Sequence, residues 1–256
     1  MRTRIPYKWL VTAVDVVGLF MEFLDTTIVN VTLPTLATTF HVPTSDVSWI
    51  VTSYLLSFAV VIPLSAWLGD RFGSKRTFLA ALVFFTLGSA LGSVAWNVSS
   101  LLVFRVLQGI GGGMLTPVGS AMLYRAFPPH ERAGVSALTA LPIVIAPTLG
   151  PVVGGYLVQY HSWHWIFLIN VPVGVVGFVS AARVLHEHRE ATAGRFDVPG
   201  FGLAALALVG LSYALETAGT HSVRDPVVLL TWSIGLVALA LFIVAELRVR
   251  HPLIAA

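Results

Sequence analysis

The chain contains no cysteine, which excludes a disulfide, a thiolate nucleophile and any cysteine-ligated metal. Charge is scarce as well. Asp, Glu, Lys and Arg make up 11% of the 256 residues, against 56% hydrophobic ones. That is too little charge to cover the surface of a soluble chain of this length. The eight histidines show no His-Glu-x-x-His spacing and no clustered ligand set, so no metal site is expected. No nucleophile–base pair appears either, and the chain is not expected to be an enzyme. The first apolar segment is too long for the core of a signal peptide and has no clear small-residue cleavage site. It is expected to remain as a membrane span.

Long apolar runs are what the chain does have. About eight of them are long enough to cross a bilayer, at roughly 20 residues each. They run approximately Leu10–Val31, Val47–Leu68, Thr77–Ala95, Leu101–Tyr124, Ala133–Tyr160, Trp165–Val184, Val198–Leu215 and Val227–Ala245. Backbone polar groups find no water in lipid, so spanning segments must be helices or a closed barrel. Continuous apolar runs without strict alternation select helices. The expected fold is therefore an all-α polytopic membrane protein.

Basic residues set the expected orientation. Arg2, Arg4, Lys8, Arg71, Lys75, Arg76, Arg125, Arg132, Arg183, Arg189, Arg195, Arg248 and Arg250 fall before the first span or after an even-numbered one. The alternate loops hold only Arg224, and Arg105 lies within a span. This asymmetry predicts a cytoplasmic N-terminus and an even number of spans in a cell (inner or plasma) membrane. It also accounts for the basic pI of about 9.5 without nucleic acid as a partner. The lipid bilayer is the expected surrounding. The longest loop on the basic side divides the chain into residues 1–185 with six spans, a cytoplasmic loop 186–197, and two further spans in 198–245.

The fifth segment carries Ala146-Pro147-Thr148-Leu149-Gly150-Pro151-Val152-Val153-Gly154-Gly155. Proline interrupts the helical ladder, and small residues let helices approach closely in a membrane. A bent helix, packed tightly on a neighbour and suited to motion, is expected there.

Ionisable residues within spans are costly and usually face a partner or a cavity. The first span carries Asp15, Glu22 and Asp25. At about 100° per residue, Glu22 falls roughly 20° from Asp15 and Asp25 roughly 80° from it, so all three share one side of the helix. Asp15 is near the cytoplasmic end, where solvation is expected. Glu22 and Asp25 are near mid-depth, where a carboxyl can serve as a proton-exchange site. The alternative is a carboxylate pinned by hydrogen bonds for helix packing. Arg105, the one cation placed within a span, needs an anionic or carbonyl partner, and the first-span acids are candidates. Otherwise it would snorkel to the nearby outer interface.

These residues sit in recognisable motifs. Leu24-Asp25-Thr26-Thr27-Ile28-Val29-Asn30-Val31-Thr32-Leu33-Pro34 resembles the first-span signature of the fourteen-span drug–proton antiporters of the major facilitator superfamily. Leu68-Gly69-Asp70-Arg71-Phe72-Gly73-Ser74-Lys75-Arg76 resembles that superfamily's loop motif between spans two and three, with Ala66 for its leading glycine. Arg105, Gln108, Gly109 and Gly111 match its fourth-span motif, and the Pro147–Gly155 run resembles its antiporter motif. Trp163-His164-Trp165-Ile166-Phe167-Leu168-Ile169-Asn170-Val171-Pro172 is similar to the tract that enters span six in this branch, with His164 for the usual arginine.

The resemblance implies a major-facilitator-type six-helix bundle followed by two further transmembrane helices. It implies proton-coupled export of amphipathic or cationic small molecules, driven by the proton gradient without a cofactor. Asp25, Glu22 and Arg105 would couple protons. Asp70, Arg71, Gly73, Gly150, Pro151, Gly154 and Gly155 would govern conformation. Asp25, Asn30 and Gln108 would contact substrate. Residues 246–256 resemble the approach to a second six-span half, expected as a partner in cis or in trans. In a lone half, the helix with Gly150, Pro151, Gly154 and Gly155 is expected to lie open. Export of a specific metabolite, lipid or siderophore on the same scaffold, or a truncated chain that does not transport, are the alternatives.

Overall fold

The computed structural model describes residues 6–190, 194, 196–220 and 225–247. Arg2, Arg4, Arg195, Arg224, Arg248 and Arg250, and the expected final segment beyond Leu247, lie outside the described residues. The helices are α1 (Tyr7–Phe40), α2 (Thr44–Phe72), α3 (Ser74–Gly92), α4 (Val98–Ala126), α5 (Arg132–Tyr160), α6 (His164–Leu168), α7 (Asn170–Val184), α8 (Val198–Thr220) and α9 (Pro226–Glu246), with a short 3-10 turn at Pro129–Glu131. No strand occurs among the described residues. Among the described residues, eight helical stretches are long and apolar enough to cross a membrane, with α6 and α7 forming one of them.

The helix ends follow local chemistry. Asn97 caps α4 by accepting from the Ser100 N–H, while the Ser100 hydroxyl accepts from the Asn97 N–H. His41 closes α1 in the left-handed region at φ 56°, its N–H bonded to the Ala37 carbonyl. Asp225 accepts from the Val227 N–H, ahead of Pro226 at the first turn of α9. Helix α1 has 34 residues. At about 1.5 Å per residue it is roughly 51 Å long, well beyond the ~30 Å hydrocarbon core. It begins at Tyr7, before Leu10.

Helix α5 does not break at its prolines. Pro142, Pro147 and Pro151 all lie inside one continuous helix. The sixth span is divided instead: α6 ends at Leu168 and α7 starts at Asn170, with Ile169 between them in helical geometry (φ −59°, ψ −30°).

Helix α4 is the centre of the bundle, wedged between α2 and α3. A methyl group on Gly109 or Gly113 would meet the backbone of Tyr54 or Phe58 on α2, and one on Gly111 would meet the backbone of Ala81 and Phe85 on α3. Only glycine permits backbones this close, and in a membrane such packing replaces hydrophobic burial as the adhesive. Two apolar clusters lie along the bundle. One is built around Phe78, Phe85, Leu115 and Val118, the other around Ile28, Ile50, Leu101 and Phe167. Helix α9 packs on α8 where Gly210 faces Gly235. Helix α8 rests on α2 through Trp49 and Tyr213, whose rings are 5.3 Å apart, and through Glu216, which accepts from the hydroxyls of Ser48 and Thr52.

Described basic residues from several of the predicted cytoplasmic segments meet at one end of the bundle. Lys8 pairs with Glu131. Lys75 donates to the Ala182 carbonyl at 2.7 Å. Arg125 lies 3.3 Å from Asp70 and 3.4 Å from Glu190.

Candidate functional site

Asp25 sits at the middle of α1 with no exposure to solvent. Its carboxylate is held from two other helices. Arg105 of α4 donates to Oδ2 at 2.6 Å, Gln108 of α4 donates to Oδ1 at 2.8 Å, and Asn170 of α7 donates to the same Oδ1 at 2.8 Å. The spacing of Arg105 and Gln108, three apart on one helix, places both side chains on one face. Arg105 also donates to the Gln108 side-chain oxygen at 2.8 Å and to the Ile50 carbonyl of α2 at 3.2 Å. Its guanidinium lies 4.1 Å from the centroid of the Tyr54 ring. Asn170 reaches the Ser89 hydroxyl at 3.1 Å, and Ser89 donates onward to the Phe167 carbonyl at 2.8 Å.

The electrostatics follow from this geometry. A buried ion pair survives loss of water only when its remaining donors and acceptors are satisfied. Here both carboxylate oxygens are engaged, as are Nε and Nη1 of the guanidinium, while its Nη2 has no hydrogen-bond partner among the described residues. The pair is also a joint, because four elements (α1, α2, α4 and α7) meet on two side chains.

A second buried carboxyl lies one turn away on α1. Glu22 is 2% exposed and accepts from the Thr116 hydroxyl of α4 at 2.7 Å. Asp15, expected to be solvated, is also only 2% exposed. It lies against Gly119 of α4, and its Oδ2 has no hydrogen-bond partner. Neither Glu22 nor Asp15 has a cation within ion-pairing distance among the described residues.

Not every residue singled out from sequence joins this centre. Asn30 is exposed and donates to the Thr26 carbonyl of its own helix at 2.9 Å. Asp70 pairs with Arg125 at the end of the bundle, while Arg71 is exposed there. Gly73 joins α2 to α3 at φ 106°, a conformation that favours glycine, and a methyl group there would strike the Glu187 carboxylate. Helix α5 lies open only in part. Gly150 and Gly154 are buried against Thr27, Ile28 and Val31 of α1, whereas Pro151 is exposed and Gly155 has nothing within 4 Å.

Asn170, Ser89, Thr116 and Tyr54 had no site role in the sequence. Asn170 was legible as an amide inside an apolar span. The others are common residues in apolar helices and carry no such signal.

The Major Facilitator Superfamily model matches residues 16–249 of this chain. A Salmonella typhi protein bearing the name "Putative multidrug resistance protein MdtD" is 43% identical over 199 residues, which is 78% of this chain and 42% of that protein. Its namesake in Pectobacterium atrosepticum is 40% identical over 222 residues, covering 87% of this chain and 47% of the relative. The chain thus spans less than half the length of these curated relatives. Among solved structures, the POT family transporter PepTSo aligns with a TM-score of 0.66 at 16% identity, over 94% of this chain and 53% of the other. The human organic anion transporter MFSD10 aligns with a TM-score of 0.60 at 17% identity, over 93% of this chain and 71% of the other. At these identities the two structures share the fold with this chain.

Proposed function

Because this chain belongs to the major facilitator superfamily, we propose that it supplies the proton-handling half of a proton-coupled exporter of amphipathic or cationic small molecules, of the multidrug type. The observation that carries the proposal is the Asp25 carboxylate, fully buried and gripped by donors from α4 and α7. The names of the MdtD relatives support the substrate class.

Charge arithmetic gives the coupling. Asp25 and Arg105 together are neutral. A proton on Asp25 leaves the centre with a charge of +1, which disfavours a bound cation and cancels the ion pair that ties α1 to α4. A proton arriving from outside therefore displaces a cationic substrate outward and favours return to the inward-facing state. Loss of the proton to the cytoplasm restores the pair and prepares the site for the next substrate. Rocking of two six-helix halves about the site provides alternating access. The second half is a partner in cis or in trans. The N-terminus lies in the cytoplasm and the protein resides in the cell membrane.

The test is ethidium efflux in a host deleted for its own exporters, with this chain produced together with the second half of an MdtD relative. Efflux that stops when an uncoupler is added is expected. Efflux that persists undiminished under the uncoupler would remove proton coupling, and no efflux at all would remove drug export.

A further inference from the structure

The Tyr54 hydroxyl is buried, and among the described residues it has no hydrogen-bond partner. A buried unpaired hydroxyl is a net cost, and phenylalanine would fill the same space without it. The position of this hydroxyl is specific. The Tyr54 ring lies 4.1 Å from the Arg105 guanidinium. From there the side chain runs along α4, and its hydroxyl stands over Gly112, where a methyl group would come within 2.8 Å of it. Arg105, Gly112 and Thr116 share one face of α4, since seven and eleven residues are close to whole numbers of turns. Gly112 lies about 6 Å before Thr116 along the axis, and Thr116 holds Glu22. The hydroxyl thus stands along α4 between the Asp25–Arg105 pair and the Glu22–Thr116 pair.

We propose that the Tyr54 hydroxyl is a proton relay between Asp25 and Glu22, with Gly112 keeping its path clear. The proposal rests on the proton-coupled reading above and extends it with a second carboxyl and a route. In this structure the hydroxyl bonds to neither acid. In the step, a protonated Asp25 freed from Arg105 turns to donate to the Tyr54 oxygen while the Tyr54 O–H donates to the Glu22 carboxylate. One O–H bond breaks at Asp25 and one forms at Glu22. The phenol begins and ends with one proton, and rotation about its C–O bond resets it. No phenolate accumulates. The elements packed on α2 bring few competing charges to this place. Asp15, Glu22 and Asp25 come from α1 and Arg105 from α4. Glu216 of α8 is engaged by Ser48 and Thr52, and Lys75 of α3 reaches the Ala182 carbonyl at the bundle end, where Arg76 is exposed.

The test is pH-jump infrared spectroscopy on the purified chain in lipid nanodiscs. Carboxyl bands are assigned by their loss in Asp25→Asn and Glu22→Gln. In the Tyr54→Phe variant, the Glu22 band is expected to respond to the jump about a hundredfold more slowly, with a Tm no lower than that of the wild type. Gly112→Ala, which crowds the hydroxyl while keeping both acids, is expected to slow it as well. An unchanged Glu22 rate in Tyr54→Phe, or a slower rate matched by a lower Tm, would overturn the relay and leave the Asp25 reading intact. A wild-type chain in which Asp25 shows no proton exchange would overturn both.

Discussion

Arg105 and Asp25 meet at 2.6 Å, and neither side chain is more than 1% exposed. Breaking such a pair by truncating one partner leaves an uncompensated buried charge, at a cost of about 3–5 kcal/mol. Arg105→Ala is therefore expected to lower the thermal stability of the purified chain markedly. A melting temperature equal to the wild-type value would show that the pair does not hold α1 to α4.

Asn170→Ala is expected to be milder. It removes one of two donors to the Asp25 Oδ1 and leaves Gln108 in place. A hydrogen bond to a charged group is worth about 1.5–3 kcal/mol. Partial efflux that is still sensitive to uncoupler is the expected phenotype. Glu22→Gln keeps an acceptor for Thr116 and should preserve stability. It removes the acceptor of the proposed relay, so efflux should slow but persist, unlike that of Asp25→Asn. Abolished efflux in a stable Glu22→Gln protein would make the two acids equivalent.

The Asp70–Arg125 pair differs in kind. Its side chains are 43% and 36% exposed at 3.3 Å. Such pairs are worth about 0–1 kcal/mol. Asp70→Asn should leave thermal stability almost unchanged, so any loss of efflux in that variant reflects the conformational cycle. A large fall in melting temperature would contradict this.

Two glycines separate packing within the half from packing against a second one. Gly111→Ala would push a methyl group into the backbone of α3, and overpacking of this sort costs about 1–3 kcal/mol. Gly155→Ala meets nothing within 4 Å and should leave the chain's stability unchanged. If the open part of α5 is where the second half docks, the same substitution should impair efflux in the two-half protein. Reduced stability of the isolated Gly155→Ala chain would show that the position is already packed.

Orientation can be tested because the chain has no native cysteine. Arg76, with 77% of its side chain exposed, serves as the reporter on the basic side. A cysteine substituted for Arg76 should resist an impermeant thiol reagent in intact cells, while one substituted for Ser45 should react. The opposite pattern would invert the proposed topology.

Much of this architecture was legible in the sequence because charge inside an apolar run is informative. Asp25, Glu22 and Arg105 stand out for that reason, and the 80° arc on α1 placed the acids on one side. The partners of these residues were harder to find. Tyr54 and Thr116 are unremarkable in a membrane helix, and their roles come from which groups α2 and α4 place beside them. Asp15 was misplaced because its burial is set by α4, where Gly119 leaves room for the carboxyl to lie against the helix. Asn30 follows the motif but turns outward to its own backbone. The prolines of α5 suggested a bent helix, and all three lie within one continuous helix.

The central claim is that the Asp25 carboxylate couples protons to transport. The direct measurement is uphill ethidium transport in proteoliposomes holding both halves, driven by an imposed pH gradient with the membrane potential clamped at zero. The wild-type protein should accumulate the dye against its gradient. Asp25→Asn should bind and equilibrate the dye but not concentrate it. Undiminished uphill transport by Asp25→Asn would contradict the account.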